Sequence, residues 1–476
     1  ASEKQVSTAK RVFLDCATVD HVKVVVAPNR GRNFGPLLVE FSSFLDRYDL
    51  MCHLHSKKSL YSGREQTQWA DYLCEYLLND PAVTSAALNL FAKDTSIGVY
   101  HPTTFWMMPN WTNHATMNGS NLRQWQQELQ LEDCSGFMSY PAGGMFWCRP
   151  KALKQLFSRK WQYEDFPVEP LPNDGSMLHG LERVIGKLAE KNGYSQIFYY
   201  PATAKFTRDQ SYIASAYYSL LDQHVDAIRS HECISFDVFD TLVKREYFYP
   251  DYAKMLLGKD LFKQGYVEGV EAFINLRNAA EFEVRKKKQF KGDVNIFEVY
   301  ESMASVLGVS AEEAQKLAKQ EFEYDLAMIL PREPLVNLFN MLADTGHKLW
   351  IISDTYYTAE QVALMLKKVG IRPSYRLMVS SEEQLRKDNG TIWPKVKADL
   401  EADGVARHIH IGDNVVSDAQ VPGDFGLSTF HILNPLDKWK LMGFPEIFTE
   451  DLPSEEEVLK WGKLVSANGS AAFIGG

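Results

Sequence analysis

The chain has 476 residues and a mass of 54.3 kDa, room for two to four domains at roughly 100–200 residues each, so a single small fold is excluded. Hydrophobic residues make up 45% and charged residues 24%, ordinary globular usage that excludes a disordered or collagen-like polymer. The net charge of −10 excludes a nonspecific nucleic-acid binder and requires that any anionic substrate meet a focused cationic site. Cys16, Cys52, Cys74, Cys134, Cys148 and Cys233 form no Cys-x-x-Cys pair, which fits neither a disulfide framework nor a zinc site and points to a reducing compartment. No apolar run reaches 18 residues and no basic-then-apolar leader opens the chain, so the cytoplasm is the expected location. The abrupt opening Ala1-Ser2-Glu3-Lys4 is what a missing natural N-terminal part would leave.

In chain order, the apolar run 22–27 reads as a buried strand, 28–35 as a loop, and Pro36 as the start of a helix. A second strand ends near His55, helices follow at 69–78 and 83–91, and another short apolar run lies at 97–100. Residues 102–132, rich in Asn, Trp, Met and Gln, read as a long surface excursion facing an acceptor. From Asp174 a helix opens in which Met177, Leu181, Val184 and Leu188 form an apolar stripe, leaving His179, Glu182 and Arg183 together on another face. The texture changes near Ser230, so a first α/β domain is expected over 1–230 and a second over 231–452. The charged, helically periodic block at about 250–330 reads as a cap inserted into the second domain. Residues 453–476 read as one amphipathic helix and a frayed tail.

Four pieces of the second domain each fall near a strand end: Asp237-Val-Phe-Asp-Thr241, Ser353-Asp354-Thr355, Lys387, and Gly412-Asp413-Asn-Val-Val-Ser-Asp418. Strand C-termini are where open α/β sheets build sites. Together the pieces offer a nucleophilic carboxylate, a hydroxyl and an ammonium for phosphate oxygens, and further carboxylates for Mg²⁺. The set resembles the four motifs of the haloacid dehalogenase (HAD) superfamily, which implies a Rossmannoid parallel sheet with a helical cap. The resemblance makes Asp237 the nucleophile, Ser353 and Lys387 the phosphate holders, and Asp237, Asp413 and Asp418 the Mg²⁺ ligands. One position departs: the general acid/base Asp that such phosphatases carry two residues after the nucleophile is Phe239 here, and the carboxylate follows at Asp240. Either Asp240 or another acid moves the proton, or the domain binds phosphate without turnover; Asp240 also suits a turn cap.

In the first domain, Pro28-Asn-Arg-Gly-Arg-Asn-Phe-Gly35 places Arg30 and Arg32 where backbone N–H groups and guanidinium forks would face an anion, or where a tight turn exposes its arginines. His53-Leu-His-Ser-Lys-Lys-Ser59 adds His55, Lys57 and Lys58 at the next strand end. With Pro141-Ala-Gly-Gly-Met-Phe-Trp-Cys-Arg149 and the 174–183 block, these segments resemble the rhamnan synthesis F (RgpF-type) family of polysaccharide glycosyltransferases over roughly residues 22–205. Asn33 stands where that family commonly has Asp, Gly144 for Thr and Gly180 for Ala. The resemblance implies glycosyl transfer, with Arg30, Arg32, His55, Lys57, Lys58, His179 and Arg183 binding substrate and Asp174 or Glu182 taking the acceptor proton.

A nucleotide-sugar transferase leaves no phosphomonoester on its product, so a tethered phosphatase would lack a substrate. Phosphoribosyl pyrophosphate supplies one, because its 5-phosphate stays on the transferred ribofuranose; no Asp-x-Asp pair for a nucleotide sugar occurs before residue 230. The combination resembles dual-domain bacterial ribofuranosyltransferases of O-antigen or capsule synthesis. It implies a Mg²⁺-dependent bifunctional enzyme acting on a lipid-linked glycan, binding no nucleic acid, with peripheral association at the inner membrane face. Two alternatives stay open: a nucleotide-sugar (rhamnosyl-type) transferase joined to an independent sugar-phosphate phosphatase, and a non-catalytic scaffold.

Overall fold

The computed structural model describes residues 3–14, 21–56, 60–61, 64–65, 67–448 and 452–475. The chain forms two compact units, Ala1–Ile213 and Ala214–Gly476, each α/β as expected. The division lies before the expected boundary near Ser230 because Tyr217, wholly buried, hydrogen-bonds His431 Nδ1 at 2.7 Å and packs beside Phe473. Segment 214–230 thus belongs to the second core.

In the first unit, β1 (Met51–His53), β2 (Ile97–Pro102), β3 (Phe146–Cys148), β4 (Ser195–Tyr200) and β5 (Lys205–Thr207) form one sheet in the order β1-β3-β2-β4-β5. Only β2 and β4 are parallel neighbours; the other pairs are antiparallel. Helix α1 (Pro81–Lys93) starts on Asp80, whose carboxylate accepts from the Ala82 and Val83 amides, and packs Val83, Ala87 and Phe91 with Ile97 and Tyr100 of β2. Helices α2 (Gly119–Leu129) and α3 (Met177–Lys191) belong to a second apolar cluster with Val99 and Phe146. β2 is therefore buried along its length, since its side chains alternate between two apolar layers.

Two expectations fail here. Residues 22–27 enter no sheet, and Val26 is exposed; none of the run is fully buried, so its apolar side chains meet no core layer that would hold a strand there. Residues 102–132 are not a bare excursion, because α2 lies inside them with Leu122, Trp125 and Leu129 buried. Trp125 also donates to the Met177 carbonyl at 3.0 Å, tying α2 to the start of α3.

The second unit carries the expected parallel sheet. Strands β6 (Cys233–Phe236), β9 (Lys348–Ser353), β10 (Arg376–Val379), β11 (His408–Gly412) and β12 (Ser428–His431) are ordered β10-β9-β6-β11-β12, all parallel. Two short antiparallel strands, β7 (Val243–Arg245) and β8 (Ile329–Pro331), form the neck of the cap. Between them lie α4 (Tyr252–Lys263), α5 (Val270–Lys287), α6 (Ile296–Leu307) and α7 (Ala311–Met328), matching the inserted block. The cap holds a buried ion pair: Arg277 on α5 reaches Glu321 on α7 at 3.0 Å, and Tyr300 on α6 donates to the same carboxylate at 2.6 Å.

The tail is not frayed. Ala472 and Phe473 are buried, Leu433 N–H donates to the Ala472 carbonyl, and Ile474 N–H donates to the Tyr217 carbonyl at 2.9 Å. Small side chains at 466–473 let this segment pack by its backbone: Arg332 donates to the Ala471 carbonyl at 2.8 Å and Lys244 to the Ser466 carbonyl at 2.8 Å. Among the described residues, no helix is long and apolar enough to cross a membrane.

Candidate functional site

The strand order places β6 beside β11, with connections leaving in opposite directions, so a crevice opens at their carboxyl ends. Asp237 directly follows β6 and Asp413 directly follows β11. Asp418 lies on the next helical turn and folds back over the strand end, where its Cγ comes within 2.3 Å of the position a Cβ on Gly412 would take. Gly412 is therefore needed for close approach. Asp237, Asp413 and Asp418 each present an oxygen within 4.8 Å of the others. Lys387 Nζ donates at 2.5 Å to both Asp237 Oδ1 and Asp418 Oδ1. The Lys387 loop is fixed by Asp354, whose carboxylate accepts from the Lys387 amide at 2.8 Å and the Asp388 amide at 3.1 Å. Thr241 and Asn434 donate to the two oxygens of Asp413 at 3.0 and 2.8 Å.

The electrostatics divide the three carboxylates. Burial raises Asp237 to about 7 against the pull of Lys387, with Asp418 adding to the rise. Burial, then Asp240, Asp237 and Asp418, push Asp413 well above its ordinary range. Asp418 goes the other way: burial opposes its charge, but Lys387 and His410 hold it below the ordinary range. One lysine cannot neutralise three carboxylates, so the cluster is short of positive charge. Three hard oxygen donors with that deficit fit Mg²⁺. When bound, the ion would supply charge neutralisation for a phosphate at this crevice. Near 100-fold excess over its dissociation constant, Mg²⁺ is expected to stabilise the unit by about 2.7 kcal/mol, read as a rise in unfolding temperature. Asp413→Asn should lose that rise and, in chelator, unfold at a higher temperature than wild type.

Ser353 is fully buried, and among the described residues its hydroxyl has no hydrogen-bond partner, which suits a group reserved for a ligand. Phe239 stacks 4.9 Å from the Arg245 guanidinium, whose two nitrogens bind Asp325 at 2.6 and 2.8 Å. The position two residues after Asp237, where the resemblance leads one to expect an acid, is thus a ring packed on Arg245. Asp240 follows with φ 52°, and its carbonyl accepts from Arg332. Burial raises its carboxyl against Arg245 and Arg332, and its charge adds to the rise of Asp413.

In the first unit, the 141–149 segment is the centre. His53 Nδ1 donates to the Gly144 carbonyl at 2.7 Å, His55 Nε2 to the Gly143 carbonyl at 2.8 Å, and Gly143 N–H donates to Glu182 Oε1 at 2.8 Å. Gly144 has φ +68°, and a Cβ there would lie 2.6 Å from Asn33 Nδ2, so Asn33 and Gly144 fit each other and neither could take a larger residue alone. Asn33 Nδ2 is buried without an acceptor among the described residues.

Asp174 accepts from Thr116 Oγ1 at 2.6 Å and Asn118 Nδ2 at 2.7 Å and pairs with Arg183 at 3.4 Å. Burial would raise its carboxyl, but Arg183, then Thr116, Asn118 and His179, bring it down to about 2. A depressed carboxyl contributes stability that is present above its ordinary value of 3.8 and is lost as pH falls through about 2. Between those limits the wild type should lose about 2 kcal/mol more than Asp174→Asn, measured by denaturant unfolding across that range.

Arg32, at φ 45°, contacts His179 Nε2 at 3.0 Å and donates to the Leu171 and Pro172 carbonyls. Arg30 is turned elsewhere, donating to the Phe166 and Glu164 carbonyls at 2.6 and 2.9 Å. The structure therefore gathers Arg32, His55, Asp174, His179, Glu182 and Arg183 around one turn, while Arg30 braces the neighbouring loop. Lys57 and Lys58 lie outside the described residues. The sequence reading missed His53, Thr116 and Asn118; the last two sit in the polar stretch taken for an excursion.

Residues 2–194 match the family model described as Rhamnan synthesis protein F. Two curated relatives, both uncharacterized proteins WxcX from Xanthomonas campestris pv. campestris strains, are 27% identical over 167 residues, 35% of this chain and 24% of each relative. The chain thus spans about a quarter of the length of the relatives it matches. Among solved structures, the HAD-hydrolase YfnB from Bacillus subtilis bound to magnesium is 16% identical, with TM-score 0.31, over 47% of this chain and 92% of that one. A HAD family enzyme from Bacteroides thetaiotaomicron, in complex with magnesium and inorganic phosphate, is 14% identical with TM-score 0.31 over 43% and 95%. L-2-haloacid dehalogenase from Xanthobacter autotrophicus is 14% identical with TM-score 0.30 over 48% and 87%. The family model thus falls on the first unit, and the second unit carries the expected parallel sheet with its inserted helical cap.

Proposed function

We propose that the chain transfers a 5-phosphoribosyl group from phosphoribosyl pyrophosphate to a lipid-linked glycan and then removes the 5-phosphate. The observation that carries this reading is the phosphate-transfer set, Asp237, Lys387, Asp413 and Asp418 within hydrogen-bonding or 4.8 Å reach of one another, in the same chain as a polysaccharide-synthesis segment. The fusion gives the second unit a substrate within the same pathway if the first product still bears a phosphoester.

In the first step Arg32, His55, His179 and Arg183, with Arg30, Lys57 and Lys58 as further cations, bind the donor's phosphates. Glu182 is our choice to take the acceptor proton, since Asp174 is committed to Arg183 and held in its charged form. In the second step an Asp237 oxygen attacks phosphorus, the bond from phosphorus to the ribose oxygen breaks, and the leaving alkoxide takes a proton, for which Asp240 is our candidate. Ser353 and Lys387 hold the phosphate oxygens. Water then hydrolyses the aspartyl-phosphate, returning the carboxylate and releasing phosphate. The cytoplasm, at the inner face of the membrane, is the proposed location.

Incubating the chain with one acceptor and either phosphoribosyl pyrophosphate or nucleotide sugars tests the donor. Mass spectrometry should show pentose addition with phosphoribosyl pyrophosphate alone; product from a nucleotide sugar alone sinks the proposal. Phe239 in place of the usual acid favours a second reading, a phosphate-binding module without turnover, which any Mg²⁺-dependent phosphate release removes.

A further inference from the structure

Behind the crevice runs a chain of buried polar groups that the phosphatase motifs do not include. Ser235, His408 and His410 lie within the sheet, none more than 7% exposed. Ser235 Oγ is 2.8 Å from His408 Nε2 and 2.7 Å from His410 Nδ1, and His410 Nε2 is 3.2 Å from Asp418 Oδ1. The Trp393 ring packs edge-on against His410 at 5.0 Å and its Nε1 donates to the Lys387 carbonyl. Two histidines at alternate positions of a fully buried strand require a reason, because each costs free energy unless satisfied.

Donor and acceptor counting gives the arrangement a direction. A carboxylate only accepts, so His410 Nε2 carries the proton that it donates to Asp418. In a neutral imidazole Nδ1 is then an acceptor, and its one neighbour in range is the Ser235 hydroxyl. Ser235 spends its single proton on His410 and accepts from His408 Nε2. His408 Nδ1 is left as an acceptor, and it is indeed buried with no partner among the described residues.

We infer that His410 is a positioning residue: with Nε2–H donating to Asp418 and Nδ1 accepting from Ser235, it fixes the Asp418 carboxylate so that its two oxygens serve the Asn414 amide and Lys387 while facing Asp237 and Asp413. Asp418 Oδ2 accepts from the Asn414 amide at 3.0 Å, so His410 and Lys387 share Oδ1 and the carboxylate cannot rotate. This inference rests on the phosphatase reading for its consequence but not for its geometry. Groups that orient a metal ligand from behind typically change metal affinity or activity by about 10- to 100-fold when lost.

Two measurements on the full chain test it. Long-range proton–nitrogen correlation spectra of the ¹⁵N-histidine-labelled protein, assigned through His410→Gln, should show His410 protonated at Nε2 and not at Nδ1. Ser235→Ala should leave Nε2 protonated, since Asp418 still accepts there, and shift the Nδ1 resonance that loses its hydrogen-bond donor. Titrating Mg²⁺ against hydrolysis of p-nitrophenyl phosphate, His410→Phe should raise the half-saturating Mg²⁺ concentration about tenfold, and His410→Gln, which keeps an N–H donor, should recover most of the loss. An Nδ1–H or doubly protonated His410 overturns the inference, as does a folded His410→Phe with unchanged Mg²⁺ dependence. If wild type shows neither Mg²⁺ binding nor turnover while His410 is the Nε2–H tautomer, the phosphatase reading fails and the lock itself stands.

Discussion

Asp237→Asn is expected to lower Mg²⁺-dependent phosphate release by about 10³-fold or more, while the first transfer continues. The amide is nearly isosteric but too weak a nucleophile to form the phosphorylated intermediate, and Lys387 remains to hold phosphate. The substitution also removes a buried carboxylate that its surroundings already push to about 7, so the variant should fold at least as well as the wild type. Incubated with phosphoribosyl pyrophosphate and a panel of synthetic acceptors, it should accumulate a pentose-phosphate adduct that wild type converts to the pentose product. Absence of that adduct on every acceptor that wild type glycosylates would defeat the two-step proposal.

The largest stability effect is expected in the cap. Arg277 and Glu321 are both wholly buried and bound to each other at two nitrogens, at 3.0 and 3.2 Å, with Tyr300 completing the carboxylate. Glu321→Ala leaves a guanidinium without its principal counter-charge; among the described residues Glu281, at 3.0 Å, is the acid that still faces it. Breaking such a pair costs about 3–5 kcal/mol, measured as a lower denaturant midpoint. Replacing both partners, Arg277→Leu with Glu321→Leu, should recover much of the loss, since no charge is then stranded. A Glu321→Ala midpoint unchanged from wild type would mean that water reaches this pair.

What the residues disclosed in advance follows from the range over which each signal acts. Asp237, Ser353 and Asp413 were legible because each ends or directly follows a short apolar strand, and a strand end in a parallel sheet is already a place in space. Lys387, expected near a strand end, instead lies in a loop beyond β10 that Asp354 holds in place, and it was found only as part of the set. The cap was legible as an insertion, but the burial of Arg277 and Glu321 was not: a charged residue on a helix looks solvated until the helix packed against it is known. Residues 22–27 failed for the opposite reason: an apolar run becomes a strand only where a core layer receives one of its faces, and no residue of this run is fully buried. In the first unit the face of α3 was read correctly from its period, yet Thr116 and Asn118, which fix Asp174, lie about 60 residues earlier in a stretch without periodicity.

The stitching of residues 466–474 into the second unit bears on how the protein comes to be made. Strands and helices from 214 onward close on Tyr217, Leu433 and Arg332 only when the Ala471 and Ala472 carbonyls and the Ile474 amide are in place. Such contacts between the first and last segments must wait for a large loop to close. On the ribosome the first unit can finish its core while the rest is still being translated, whereas the second unit stays open until its 466–474 segment has emerged.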